Sequence, residues 1–260
     1  MSSRIHLARQ GLITKNKPTI ANIQYTNTTS VAGLLLYVNP SNTISDGSIN
    51  NWATSVVNCT TSTVQSRNGE VSIRYDGTGD YVNFTTANQA AVAIGTKDYT
   101  VDTWIWPDST LAAGAILGSL TFGSTTNWWF SLVAGSPLGL VWYNSATAWQ
   151  PSVGSAITAN DWNHIAVTRK GSTQSIWING VQAATQTNST NLANTLNLSA
   201  GADSNGETGS LFKGYVNRTR LIVGAALYET NFTPPTSLTT SSLQIISGGT
   251  TSTYGSYLLA

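Results

Sequence analysis

The chain predicts an all-β protein, an antiparallel two-sheet sandwich, and three observations carry that prediction. Charged residues make up only 9% of its 260 positions, against roughly 25% in an average soluble protein. Polarity therefore rests on Ser, Thr, Asn and Gly, the mixture that β-branched strands and their turns require. Short alternating runs recur at about 8–12-residue spacing, and no segment keeps a 3.6-residue apolar period over a dozen residues. Nine Trp, ten Tyr and five Phe supply ample apolar area for a core and argue against disorder.

Residues 1–24 read as an extended basic arm. Arg4, Arg9, Lys15 and Lys17 give the first 17 residues a charge of +4 with no acid among them, which leaves the rest of the chain at −3. Alternation is absent there and Pro18 interrupts any regular element. Ordering such a segment costs backbone entropy, so the arm is expected to dock on a partner through Ile5, Leu7, Leu12 and Ile13. The opening MSSRIHLARQG has no apolar h-region, so no signal peptide is expected. No apolar run approaches 18 residues, so no membrane span is expected either.

Residues 25–236 form the predicted sandwich. Its strands read as Gly33–Val38, Val71–Tyr75, Tyr81–Phe84, Tyr99–Trp106, Ala115–Leu120, Trp128–Val133, Gly139–Tyr143, Trp162–Arg169, Gln174–Ile178 and Gly214–Val223. Asp76-Gly77, Asn179-Gly180 and Asn205-Gly206 supply positive φ for tight turns. Asp76-Gly-Thr-Gly-Asp80 needs no phosphate reading, because no helix follows it to present free N–H groups. Trp104 and Trp162 are expected to wall the core, and His164 to be a hydrogen-bonded structural histidine. Residues 237–260 make a Ser/Thr/Gly-rich tail.

Cys59 is the single cysteine, which excludes an internal disulfide and a cysteine-based zinc site. His6 and His164 lie in unlike contexts, so a His-rich metal site is not expected. The net charge of +1 gives no reason to expect a nucleic-acid partner.

Several segments form an ordered set of motifs along the chain. They are Gly33-Leu-Leu-Leu-Tyr-Val-Asn-Pro40 with Asn51-Trp52, Ile73-Arg-Tyr-Asp-Gly-Thr-Gly-Asp-Tyr-Val82, and Asp98-Tyr-Thr-Val-Asp-Thr-Trp-Ile-Trp-Pro107. Asp161-Trp-Asn-His-Ile-Ala-Val-Thr-Arg169 follows, then Ser175-Ile-Trp-Ile-Asn-Gly-Val181, Phe212-Lys-Gly-Tyr-Val-Asn-Arg-Thr-Arg-Leu221 and Leu227-Tyr-Glu-Thr-Asn-Phe-Thr-Pro-Pro235. In this order they resemble the motifs of laminin-G-like (concanavalin-A-like) domains of the kind found in phage virion proteins. The resemblance spans about residues 33–236 and implies a jelly-roll sandwich. It also implies a virion protein, expected to be a capsid-decorating or minor capsid subunit anchored by the arm. Its partners would be other virion proteins and sister copies in a homo-oligomer. The alternative is a tail-fibre or receptor-binding adhesin that recognises host-surface glycan.

Glycosidases built on such a fold hold two carboxylates about 5–5.5 Å apart when they retain configuration. Glu70, Glu207 and Glu229 are isolated in this chain, and Asp98 and Asp102 come closest, four residues apart and on one face of a regular strand. Asp102 stands where the resemblance places a structural acid. No Gly-x-Ser-x-Gly elbow is present, so no catalytic residue is assigned. No cofactor is required on this reading. Calcium, which such domains often hold at the sandwich rim, directs attention to Asp80 and Asp203. For glycan contact the candidates are Trp149, in a presumed loop, and Trp128 and Trp129, whose adjacency sends their rings to opposite faces.

Overall fold

The structure is a computed structural model. It describes residues 32–39, 41–48, 51–84, 93–111, 113–119, 127–133, 138–144, 147–149, 157–192, 198–202, 210–238, 243–247 and 250–254. Arg4, Ile5, Leu7, Arg9, Leu12, Ile13, Lys15, Lys17 and Asp203 lie outside the described residues. So does the side chain of Trp149.

Two antiparallel sheets form the predicted sandwich, and no helix occurs among the described residues. The first sheet has β14 (Val181–Thr187), β13 (Thr173–Ile178), β12 (Asn163–Lys170), β7 (Tyr99–Pro107), β16 (Lys213–Val223), β1 (Ala32–Val38) and β2 (Ile44–Asp46) in that order. A bulge at Asn217–Thr219 divides β16. One half of β16 pairs with β1, and the other with β5 (Glu70–Asp76), which in turn pairs with β4 (Thr60–Arg67). The second sheet has β11 (Thr147–Trp149), β10 (Gly139–Asn144), β9 (Trp128–Val133), β8 (Gly114–Gly118), β15 (Ser199–Ala200), β6 (Tyr81–Phe84) and β3 (Thr54–Val57) in that order. Beyond the sandwich, β17 (Leu243–Ser247) and β18 (Thr250–Tyr254) form a separate two-stranded sheet.

Strand parity decides which side chains meet between the sheets. Tyr99, Val101 and Ile105 of β7 point inward, as do Ile165 and Val167 of β12 and Leu221 and Val223 of β16. From the second sheet come Val82 and Phe84, Trp128, Phe130 and Leu132, and Leu140 and Trp142. Tyr99, Trp142 and Trp128 stack face to face through this core, with successive centroids 5.3 and 5.0 Å apart. Arg169 closes one end of the core. It is fully buried, and its guanidinium donates to the carbonyls of Gly95, Lys97 and Thr190 at 2.7–3.1 Å. Those bonds meet the demand of a buried cation without a carboxylate.

The same parity corrects two expectations. Trp104 falls on the outer face of the first sheet with Asp102, where Arg67 lies 3.3 Å over its ring. Trp162 packs edge-on against Trp106 of that outer face, with centroids 5.9 Å apart. Neither belongs to the inter-sheet core. The Asp76–Asp80 turn, moreover, joins β5 of one sheet to β6 of the other, so it is a crossing between layers.

Candidate functional site

The outer faces of the two sheets differ in kind. That of the first sheet is closed by residues 224–238, which leave β16 and cross it as a strap. Leu227, Tyr228 and Phe232 of the strap pack on Ala166, Trp177 and Ile222. Thr100 Oγ1 donates to Ala225 O, Thr168 Oγ1 donates to Tyr228 O, and Trp104 Nε1 donates to Pro235 O, at 3.0–3.1 Å. At Asn179-Gly180 the strap approaches so closely that a Cβ on Gly180 would lie 1.9 Å from Phe232 O. The turn also holds Gly180 at φ +82°, a conformation suited to glycine.

Beneath the strap lies a sealed ion pair. Arg220 donates to Asp102 through Nε at 2.9 Å and Nη2 at 2.6 Å, and Tyr228 Oη donates to Asp102 Oδ2 at 2.7 Å. Burial alone would raise the Asp102 carboxyl, but the Arg220 guanidinium beside it prevails and holds it well below the usual carboxylate range. His164 stands 3.6 Å from Asp102 Oδ2, outside hydrogen-bond reach, and neither ring nitrogen has a partner. Its ring is boxed in edge-on by Trp104, Tyr228 and Phe232. Burial pushes its pKa down, so at neutral pH it is uncharged. The expected hydrogen-bonded histidine is therefore a packed one.

Asp98 is separated from this network. It sits just ahead of β7, where it accepts the Gly171 N–H at 2.7 Å and pairs with Lys170 at 3.4 Å. The one carboxylate pair the sequence offered for catalysis is thus divided between a sheet end and a sealed ion pair.

The outer face of the second sheet carries no such network. Val82 and Phe84, Leu198 and Ala200, and Trp128 and Phe130 all enter the core. Alternation therefore sends Asn83, Ser199 and Trp129 to the other face. The register sets them in one row across neighbouring strands: Asn83 opposite Ser199, Ser199 opposite Gly118, Gly118 opposite Trp129, and Trp129 opposite Tyr143. Five strands at ~4.8 Å spacing make the row roughly 19 Å long. Its floor is small: Ser199, Gly118, Ala115 and Ser131. At Gly118 a Cβ would meet Trp129 Cβ at 2.5 Å, so only glycine fits there. One end is aromatic, where Trp129 and Tyr143 meet edge-on with centroids 4.9 Å apart above Ala115.

The other end holds two polar atoms without partners. Ser199 is 0% exposed and its hydroxyl has none, nor does Asn83 Oδ1. A buried polar group in that state costs about 1–3 kcal/mol. These are two of eleven such atoms among the described residues, the two ring nitrogens of His164 included. The floor of the row and Trp129 are buried, and only Asn83 and Tyr143 are half-buried.

The sequence singled out one residue of this row, Trp129, and it is only 3% exposed. Trp128 is corrected: its parity puts it in the core stack, with no face open to a sugar. Trp149 ends β11, so its backbone is in a strand rather than the presumed loop. Asn83, Ser199 and Tyr143 were missed.

Asp80, the described half of the calcium expectation, is buried at the β5–β6 crossing. Its Oδ2 accepts the Asp76 N–H, its Oδ1 has no partner, and burial raises its carboxyl pKa. No three His, Cys, Asp or Glu side chains group for a metal among the described residues. No helix among the described residues is long and apolar enough to cross a membrane.

A family model described as Concanavalin A-like lectin/glucanases superfamily matches residues 76–227, more than half of the chain. A comparison with curated proteins gave no match. Among solved structures, domain 4 of AbnA, a GH43 extracellular arabinanase from Geobacillus stearothermophilus in complex with arabinotriose, is similar. Its TM-score is 0.58 at 16% identity, over 76% of this chain and 95% of that one. The binding domain of Paraclostridial Mosquitocidal Protein 1 gives 0.55 at 19% identity, and the receptor-binding domain of botulinum neurotoxin D gives 0.55 at 15%. The chain spans 49% of each of these two toxin domains. At such identities the likeness is one of fold.

Proposed function

The chain belongs to the concanavalin A-like lectin/glucanases superfamily, and from that premise we propose that it is a glycan-binding adhesin. Its ligand would be met at the half-buried Asn83 and Tyr143. The observation that carries this reading is the family match over residues 76–227, and the half-buried Asn83 and Tyr143 are the polar and aromatic members of the row that reach its surface. A sugar is apolar on its ring faces and polar at its rim, which matches a surface with those two ends. The similar arabinanase domain, solved with arabinotriose, and the receptor-binding toxin domains support an adhesin over a capsid-decorating subunit.

The motif resemblance to phage virion domains supplies the setting of the proposal. The adhesin would sit on a virion, attached through the basic arm of residues 1–24 and assembled as a homo-oligomer. The test is a glycan array and a host-cell binding assay with the wild type and with Asn83→Ala and Tyr143→Ala. Binding that falls at least roughly tenfold in either variant is expected, since each removes a central contact. A blank array with no cell binding overturns the adhesin and returns the decoration reading.

A further inference from the structure

The strap closes the outer face of the first sheet as far as the row of His164, Trp104 and Asn217, which stand opposite one another on β12, β7 and β16. It crosses there, accepting the Trp104 Nε1–H at Pro235 O and the Asn68 Nδ2–H at Thr236 O. The next row outward is a different surface. Trp106 lies opposite Tyr215, and Tyr215 opposite Arg74. Trp162, one residue ahead of β12, meets Trp106 edge-on with ring centroids 5.9 Å apart. Ile105, Val216 and Ile73 enter the core, so alternation points Trp106, Tyr215 and Arg74 outward. All four side chains are half-buried, and strand spacing makes the row roughly 14 Å long.

Its polar atoms also set it apart from the strapped face. The Trp104 and Trp177 indoles donate to Pro235 O and Thr168 Oγ1. Trp106 Nε1, Trp162 Nε1 and Tyr215 Oη, by contrast, have no partner among the described residues. Arg74 Nη1 donates to the carbonyls of Tyr75 and Gly214, which holds the guanidinium 4.8 Å over the Tyr215 ring. Its Nε and Nη2, the parallel N–H pair of a bidentate fork, have no partner among those residues either. The neighbouring cation, Lys213, is taken up by Thr110 Oγ1 and Asp108.

Resting on the adhesin reading, we infer that this row is a second glycan site, which takes a short oligosaccharide laid from Trp162 to Arg74. The apolar face of a sugar ring rests on the aromatic side chains, whose apolar bodies and polar tips suit a ligand of that mixed kind. Its rim oxygens accept from the indole N–H groups and the Tyr215 hydroxyl, and two adjacent oxygens take the Arg74 fork. A lipid or an apolar peptide on the same row would strip water from those donors and leave them unpaired. The chemistry of the row therefore favours a ligand dense in hydroxyls.

The experiment titrates the full chain with cellotriose, maltotriose and arabinotriose, following the indole N–H resonances, and repeats the host-cell binding assay. Trp106→Phe and Trp162→Phe assign the two signals, and thermal melts confirm that each variant folds. The expected result is a probe that shifts both signals and binds at least roughly tenfold more weakly to Trp106→Ala, Tyr215→Ala and Arg74→Lys. Trp106→Phe, which keeps an aromatic face, should retain most of the affinity, and Asn83→Ala and Tyr143→Ala should leave the shifts in place. Binding to probe and cells that is unchanged in Trp106→Ala, Tyr215→Ala and Arg74→Lys overturns this site and leaves the adhesin standing. So does silence of both signals with every probe while the wild type still binds cells. Absence of binding to every probe and to host cells overturns the adhesin, and this site with it.

Discussion

Replacing Asp102 with leucine leaves the Arg220 guanidinium under the strap without its counter-ion. Asp102 is 0% exposed and accepts three hydrogen bonds, two from Arg220 and one from the Tyr228 hydroxyl. Breaking a buried pair on one side costs about 3–5 kcal/mol, because the surviving charge stays desolvated. For a domain of roughly 200 residues, each kcal/mol lowers the melting temperature by about 2–4 °C, so Asp102→Leu should lose about 6–20 °C. Arg220→Met should cost a similar amount by stranding the carboxylate. The double substitution should recover most of the loss, since a buried pair exchanged for apolar side chains of similar volume is often neutral. Urea denaturation of the four proteins closes the double-mutant cycle. Additive single losses, or a loss below about 1 kcal/mol in Asp102→Leu, would refute the account of a sealed ion pair.

Two further outcomes follow from the same face. The folded pKa of His164 lies below the ordinary histidine value of 6.5, so between the two the unfolded chain takes a proton that the folded chain refuses. Stability should then fall as pH drops through the ordinary histidine range, by up to about 1.4 kcal/mol per pH unit. His164→Phe should flatten that slope in urea titrations run across pH 5–7, and an unchanged slope would remove His164 as its origin. Gly180→Ala forces a Cβ against Phe232 O at positive φ and should cost about 1–3 kcal/mol. Hydrogen exchange should quicken first at the Phe232 N–H, which donates to Gly180 O, and uniform exchange would count against a close strap contact.

The fold was legible because the central strands are bounded by turns that sequence identifies. Tyr81–Phe84 and Trp128–Val133 match their predicted limits, and Asn179-Gly180 does join β13 to β14. The strands that escaped notice include short ones such as β15, two residues in the middle of the second sheet, and polar edges. Thr60–Arg67 reads Thr-Thr-Ser-Thr-Val-Gln-Ser-Arg and has no apolar face to alternate, since only one side of it packs. Trp104 and Trp162 were misplaced because a tryptophan invites a core assignment, whereas the strap gives the first sheet a second buried face that local pattern cannot reveal. The candidate site was harder still. Asn83 and Ser199 are 116 residues apart in the chain and become neighbours only through sheet order, which depends on pairings across long distances. The local signal was faint: one polar residue between two core residues, Val82-Asn83-Phe84 and Leu198-Ser199-Ala200.

The pairing of β1 with β16 has a consequence for how the molecule is made. Leu36 lies opposite Thr219, so β1 waits on the ribosome for a strand made about 180 residues later. At roughly 5–20 residues per second the wait is about 10–40 s, during which β1 and the centre of the first sheet lack their ladder partner. The β12–β13 and β9–β10 hairpins can close early, because their partners are near in sequence. The sandwich, however, cannot lock until β16 inserts between β7 and β1. Such non-local closure is slow, and until then an exposed β1 is a template for strands of other nascent chains. The yield of native protein should therefore depend on synthesis rate and chain concentration more than on the final stability of the fold.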